Sequence, residues 1–223
     1  MNFNTSQNKR KLKDPGSAIT HFIGMLMAMF AAMPLILKSY HGEGSGVHTA
    51  SLVIFIVSMI LLYAASTTYH SLDISERVNK VLRKLDHAMI YILIAGSYTP
   101  ICLIVLKGKT GILLLSLVWS IAILGIIFKM CWITCPMWLS SVLYILLGWT
   151  CVLAFSPLVA GLSKSGLGWL LAGGIIYTIG GVIYALKLPL FNSKHQNFGT
   201  HEIFHLFVMA GSVCHFVVMY GIA

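Results

Sequence analysis

Residues 44–72, GSGVHTASLVIFIVSMILLYAASTTYHSL, contain no Asp, Glu, Lys or Arg. Crossing the roughly 30 Å hydrocarbon layer takes about 20 apolar residues in a helix, so this stretch reads as a membrane span. Other charge-free stretches of 19 or more residues occur at 15–37, 87–106, 110–128, 130–163, 165–186 and 203–223, which makes seven. Seven spans and their connections use up a chain of 223 residues and leave no room for a second folded domain. Only 9% of the residues are charged and 58% are hydrophobic, whereas a soluble domain carries about 25% charged residues. A soluble globular fold is excluded.

The expected architecture is all-α, a polytopic bundle of seven transmembrane helices near 16–38, 49–70, 86–106, 110–128, 138–156, 166–187 and 200–221. The long stretch 130–163 is read as one span, because two spans joined by a turn would each fall near the lower limit for crossing. Its first residues, Cys131 to Met137, read as a loop or interfacial segment. Residues 1–14 form a basic, polar arm expected to be flexible, and 15–223 the membrane domain. No cleavable signal peptide is expected, since the basic arm leads into a run of full spanning length without a small-residue cleavage site.

The net charge of +9 is distributed rather than pooled. Lys9, Arg10, Lys11 and Lys13 precede the first span, Arg77, Lys80, Arg83 and Lys84 follow the second, Lys129 follows the fourth, and Lys187 and Lys194 follow the sixth. Those eleven share one side of the bundle, and only Lys38, Lys107, Lys109 and Lys164 lie on the other. The positive-inside rule then expects a cytoplasmic N-terminus and an external C-terminus. The basic excess is accounted for by orientation and lipid-headgroup contact, not by nucleic acid.

Cys102, Cys131, Cys135, Cys151 and Cys214 are odd in number and mostly lie in apolar runs, which suits packing. Gly173, Gly174, Gly180 and Gly181 on the sixth helix read as contact points, because packing rather than hydrophobicity drives helix association in lipid.

Ionisable groups at membrane depth default to a functional reading. His70 closes the second expected helix, Asp86 opens the third, and His201, Glu202 and His205 open the seventh, so all five belong to one face of the bundle. Four residues apart, His201 and His205 point about 40° apart on successive turns, a geometry that can hold one metal ion. Ser66 and His70 repeat that spacing. A catalytic zinc site typically has three protein ligands and an open fourth position, and His70, His201 and His205 supply the count. Asp86 would hold the attacking water and take its proton, and Ser66 would donate a hydrogen bond to water or substrate oxygen.

Each residue also has a plainer use. A histidine at a helix end can make interfacial hydrogen bonds, Asp86 can pair with Arg83, and Ser66 can bond a backbone carbonyl one turn earlier. His201 to His205, HEIFH, also matches the H-E-x-x-H motif in which the glutamate is a metalloprotease base. Glu202, however, lies about 100° around the helix from His201 and in a first turn that favours a carboxylate. His21 and His215 lie in apolar runs, as interhelical hydrogen-bond partners or pocket residues. His87 faces away from Asp86, and Tyr69, Tyr91, Tyr98 and Trp138 are belt or pocket candidates.

The segments Ser66-Thr-Thr-Tyr-His-Ser71, Leu85-Asp-His-Ala88 with Ala95-Gly-Ser-Tyr-Thr-Pro100, and Gly199-Thr-His-Glu-Ile-Phe-His-Leu-Phe207 with Gly211-Ser-Val-Cys-His-Phe216 resemble the hemolysin III family. That family is related to adiponectin and progestin receptors and, more distantly, to alkaline ceramidases. The resemblance implies that Ser66 and His70 are its S-x3-H motif, Asp86 its helix 3 aspartate, and His201 and His205 its H-x3-H motif. It implies an internal zinc site near the cytoplasmic face of a seven-helix bundle. It also makes the protease reading weaker, because the upstream histidine completes a different metal site. The compact form, without the long N-terminal domain of the animal receptors, suggests a multi-pass protein of the bacterial cytoplasmic membrane.

Two functions follow as expectations. The first is a zinc-dependent hydrolase acting on a lipid amide or ester, with Zn2+ on His70, His201 and His205, Asp86 as base and Ser66 as a positioning hydroxyl. The second is a membrane-lipid sensor or regulator in which the same zinc ties helices together. An intramembrane protease using Glu202 is third.

Overall fold

The computed structural model describes residues 12–42, 46–187 and 198–223. Seven helices are long and apolar enough to cross a membrane: α1 (Pro15–His41), α2 (Gly46–Ser71), α3 (Glu76–Leu106), α4 (Gly108–Cys131), α5 (Met137–Gly161), α6 (Lys164–Leu186) and α7 (Thr200–Ile222). The described residues contain no strand. Consecutive helices pack side by side, and α7 returns onto α1, so the bundle is a ring in chain order. With seven crossings the N- and C-termini lie on opposite faces, and the face that carries the start of α1 is called the N-terminal face below.

Each helix begins where the sequence offers a start. Asp14 and Pro15 open α1, with proline where its missing N–H would be unpaired anyway. Ser75 caps α3 by accepting from the Val78 N–H at 3.3 Å, and Glu76 follows in the first turn. The third helix therefore starts well before the expected residue 86, and Asp86 lies inside it rather than opening it. A search for charge-free runs finds only the part of a helix inside hydrocarbon. The charged turns of α3, with Arg77, Lys80, Arg83 and Lys84, continue the same helix beyond it. The fifth helix also outruns its expected end, through Gly161, and the expected loop is Trp132–Pro136.

Two helices depart from regular α geometry. After Pro100, α3 widens into π geometry over Ile101–Leu106, and the Lys107 N–H bonds the Cys102 carbonyl at 3.0 Å. In α5 the ladder tightens to a 3-10 turn at Trp149–Ala154. The Tyr98 hydroxyl of α3 reaches into that break, donating to the Gly148 carbonyl at 2.6 Å and accepting from the Cys151 N–H at 2.8 Å. A side chain thus pairs backbone groups that lipid could not.

Lys129 departs from its expected role as a headgroup charge. It is 1% exposed, with Nζ 2.5 Å from Ser140 Oγ and 3.1 Å from Cys135 Sγ, so it ties α4 to α5 from inside. Cys131 is exposed while Cys135 is buried, so their C-x3-C spacing does not form a pair. Lys9, Arg10, Lys11 and Lys194, and most of the arm expected at 1–14, lie outside the described residues.

The glycines of α6 divide between two neighbours. A Cβ at Gly180 would lie 2.6 Å from the Phe207 Cβ of α7, and one at Gly173 would lie 2.8 Å from the His215 ring of the same helix. Gly181 instead faces Ile145 of α5. Gly180→Ala is expected to push α6 and α7 apart at a cost of about 1–3 kcal/mol. Gly168→Ala, with nothing within 4 Å of its Cβ position, should be neutral or stabilising by up to about 1 kcal/mol. Thermal unfolding of both variants in detergent tests this, and equal midpoints would refute the close-approach reading.

Candidate metal centre

His70 sits in the last turn of α2, and His201 and His205 lie in the first turns of α7. Antiparallel passage through the bundle brings both helix ends to the N-terminal face, with the start of α1 against each. One nitrogen from each of the three rings lies within 4.8 Å of the others. His70 Nε2 and His201 Nε2 are 3.2 Å apart. His70 and His205 are buried and His201 half-buried.

The surroundings set the ring orientations. The Thr20 hydroxyl has one proton, directed at the Gly16 and Ser17 carbonyls at 3.0 Å, so towards His205 Nδ1 at 3.2 Å it acts as acceptor. His205 is then protonated at Nδ1 and keeps its Nε2 lone pair. His70 Nδ1 lies 2.9 Å from Asp14 Oδ2, which accepts its proton and leaves Nε2 as a lone pair too. That lone pair faces His201 Nε2 at a separation that either an N–H···N hydrogen bond from His201 or a shared cation satisfies. Two nitrogen ligands at about 2.0–2.1 Å from a tetrahedral ion would stand roughly 3.3 Å apart. The donor set therefore fits a metal ion.

The other expected residues surround this cluster in different ways. Ser66 and Asp86 line the same cavity as the three histidines. Asp86 offers no oxygen to the ligand group and forms no salt bridge with Arg83 among the described residues. Its carboxylate is the hydrogen-bonding neighbour of the Ser66 hydroxyl, which is 1% exposed and meets it at a geometry outside the strict hydrogen-bond limits. Ser66 thus does not bond back to its own helix, unlike Thr68, which donates to the Ala64 carbonyl at 2.7 Å. His21 stacks on His205 with ring centroids 3.5 Å apart and interplanar angle 7°, and neither of its nitrogens finds a partner. His215 lines the cavity beside Tyr177, ring centroids 5.3 Å apart. Both histidines line the cavity, as the pocket alternative expects, and His21 stacks instead of hydrogen-bonding. His87 turns to α5, with Nδ1 3.4 Å from the Tyr144 hydroxyl. Tyr69 and Tyr98 line the cavity, Tyr91 is buried, and Trp138 is 57% exposed on the outside, as a belt residue would be.

Glu202 is engaged at both oxygens. Ser17 of α1 donates to Oε1 at 2.5 Å, and the Gly199 N–H donates to Oε2 at 2.8 Å. The carboxylate closes its own helix start and ties it to α1, a helix-end role.

The cluster opens on a cavity of about 840 Å³ inside the bundle. Its wall runs along α7 from His201 to His215, a rise of roughly 20 Å. Its deeper part is lined by side chains such as Leu158, Leu167 and Leu170.

The family model described as Haemolysin-III related matches residues 9–216. The chain belongs to this family. It is 41% identical over 201 residues to Hemolysin-3 of Bacillus cereus, covering 90% of this chain and 87% of that one. The Hemolysin-3 homolog of Bacillus subtilis (strain 168) is 40% identical over 200 residues, covering 90% and 89%. The Adiponectin receptor protein of Drosophila melanogaster is 26% identical over 235 residues, covering 91% of this chain and 49% of that one. Seven spans and Bacillus relatives make this Haemolysin-III related chain a multi-pass membrane protein of the bacterial cytoplasmic membrane.

Sequence reasoning missed Asp14, Ser17 and Thr20, which hold His70, Glu202 and His205. A signal existed: Asp14, Ser17 and His21, spaced by three and four, share one face of a helix that opens with Asp-Pro. For Glu202→Ala, losing both bonds is expected to cost about 1–3 kcal/mol. The imidazole cluster should persist, so thermal unfolding should shift while metal per folded chain stays level. Loss of metal with unchanged stability would reverse the assignment.

Proposed function

We propose that this chain is an integral membrane zinc protein that hydrolyses an amide or ester bond of a lipid. The observation that carries the reading is the convergence of three imidazoles at the polar end of a long, largely apolar cavity. An all-imidazole set suits zinc, copper or nickel. Three protein ligands with room for a fourth is the pattern of catalytic zinc.

His70, His201 and His205 would hold the ion. When bound, it would supply Lewis-acid polarisation of the scissile carbonyl and a nucleophile available at neutral pH. The chain's own residues do the rest. Asp86, in the cavity wall beside the cluster, takes the proton of the attacking water and returns it to the leaving amine or alcohol. Ser66 Oγ, beside the Asp86 carboxylate, would donate to the water or to the carbonyl oxygen. The apolar walls hold the acyl chain and keep bulk water from the reacting bond. An elongate cavity with polar chemistry at one end matches an amphiphile that enters from the membrane. By the charge argument this end is cytoplasmic.

The runner-up is a lipid sensor in which zinc only ties α2 to α7. The cluster would add to two ties already present between these helices, Tyr63 donating to Ser212 Oγ at 2.8 Å and His48 Nε2 to the Ile222 carbonyl at 2.9 Å, and the similarity to an adiponectin receptor is what favours this reading. The protease reading lacks such support, because Glu202 is held by Ser17 and Gly199.

Elemental mass spectrometry on detergent-purified protein is expected to find about one zinc per chain, lost in His70→Ala, His201→Ala and His205→Ala and kept in Asp86→Ala. Against a panel of lipid amides and esters, Asp86→Ala should lose about 10²-fold or more of the hydrolytic rate. Zinc without turnover by the wild type would favour the sensor. No metal in the wild type would overturn both.

A further inference from the structure

Asp14 occupies the N-cap of α1, where an aspartate ordinarily accepts a hydrogen bond from its own helix. Its side chain makes no such bond. Instead Oδ2 meets His70 Nδ1 at 2.9 Å, and the Asp14 N–H donates to the His70 carbonyl at 2.9 Å. One residue thus grips both the ring and the backbone of a histidine distant in sequence. The preceding residue adds to the hold: Lys13 Nζ lies 3.8 Å from the centre of the Tyr69 ring. Lys13, Asp14, Pro15 and Gly16 also form part of the cavity wall at the N-terminal face. The Asp14 side chain is 44% exposed, so the long-range effect of its charge is screened by water, and what it contributes is the direct, charge-assisted hydrogen bond to Nδ1, which a neutral amide cannot match.

We propose that Asp14 is a positioning residue of the metal centre: it holds His70 in the tautomer and ring rotation that turn Nε2 toward His201 and His205, and by the same grip couples the segment before α1 to metal occupancy. This rests on the metal reading above. The carboxylate–histidine arrangement is a common device for orienting a metal-binding imidazole and raising its basicity. Nothing at His70 other than Asp14 accepts the Nδ1 proton among the described residues. Without that acceptor the ring is free to rotate or to move its proton to Nε2, where it would block the metal. The coupling is reciprocal by linkage: whatever fixes His70 also fixes Asp14 and Lys13 against α2.

The test uses the full chain in detergent, with zinc affinity measured by chelator competition for wild type, Asp14→Asn, Asp14→Ala and Asp14→Glu. His201→Ala serves as the ligand-deficient reference, and Glu76→Gln, an exposed acid outside the site, controls for the change in charge. Asp14→Asn and Asp14→Ala are expected to bind zinc about 10- to 100-fold more weakly. Glu76→Gln should match wild type, and Asp14→Glu should recover most of the loss. Thermal unfolding of the chelated forms should be little changed between wild type and Asp14→Asn, while the upward shift produced by zinc shrinks in the variant. Trypsin cleavage after Lys13, read from the fragment beginning at Asp14, should be slower in zinc-loaded than in chelated wild type, and Asp14→Asn should remove that difference.

Zinc affinity of Asp14→Asn within about threefold of wild type would overturn the proposal while leaving the metal reading intact. So would a loss of stability in the chelated Asp14 variants with normal zinc affinity in the folded fraction, which would make Asp14 a structural residue only. A wild-type chain that binds no zinc would instead overturn the metal reading, and this inference with it.

Discussion

Two imidazole nitrogens 3.2 Å apart, both turned toward the same point inside a membrane bundle, set the terms for the rest of the N-terminal face. A shared proton or a cation holds two nitrogens at that distance only when both rings are turned to face it. Their orientation has to be imposed from outside the cluster, and the first turns of α1 impose it. Asp14 fixes the far nitrogen of His70, Thr20 fixes that of His205, and Ser17 holds the Glu202 carboxylate at the start of α7. The first helix supplies none of the three grouped imidazoles, yet its side chains hold the rings on α2 and α7.

The same division between lining and support recurs deeper in the bundle. On one side α6 and α7 are drawn together at Gly173 and Gly180, where there is no space for a methyl group. Inside, α3 and α5 depart from regular helix, and Tyr98 pairs the backbone groups exposed at Gly148 and Cys151. Neighbouring helices pack around the ring and leave a cavity within it. The cavity has a polar end and an apolar length.

Much of this was legible in the chain itself. Spans follow from the length of charge-free runs, since lipid tolerates few ionised groups. His70, His201 and His205 followed from one more step, because alternating crossings put the end of an even helix beside the start of an odd one. The limits were physical as well. The start of α3 was misplaced at Asp86 because charged residues end a hydrophobic run without ending a helix. Lys129 counted as a surface charge because its sequence position marks a loop, whereas its flexible chain folds inward to Ser140 and Cys135.

The sequence by itself determined the class of the protein: a seven-helix membrane bundle with its histidines gathered at one face. Those conclusions need only periodicity, length and the cost of charge in hydrocarbon, all properties of a local stretch. Only the tertiary structure decided what each polar group does there. It turned the Asp14 carboxylate from capping its own helix to holding His70, and engaged Glu202 at both oxygens. It set Ser66 beside the Asp86 carboxylate and stacked His21 on His205. A hydrogen bond depends on tenths of an ångström and on direction, and these are set by how helices far apart in the chain rotate and seat against one another.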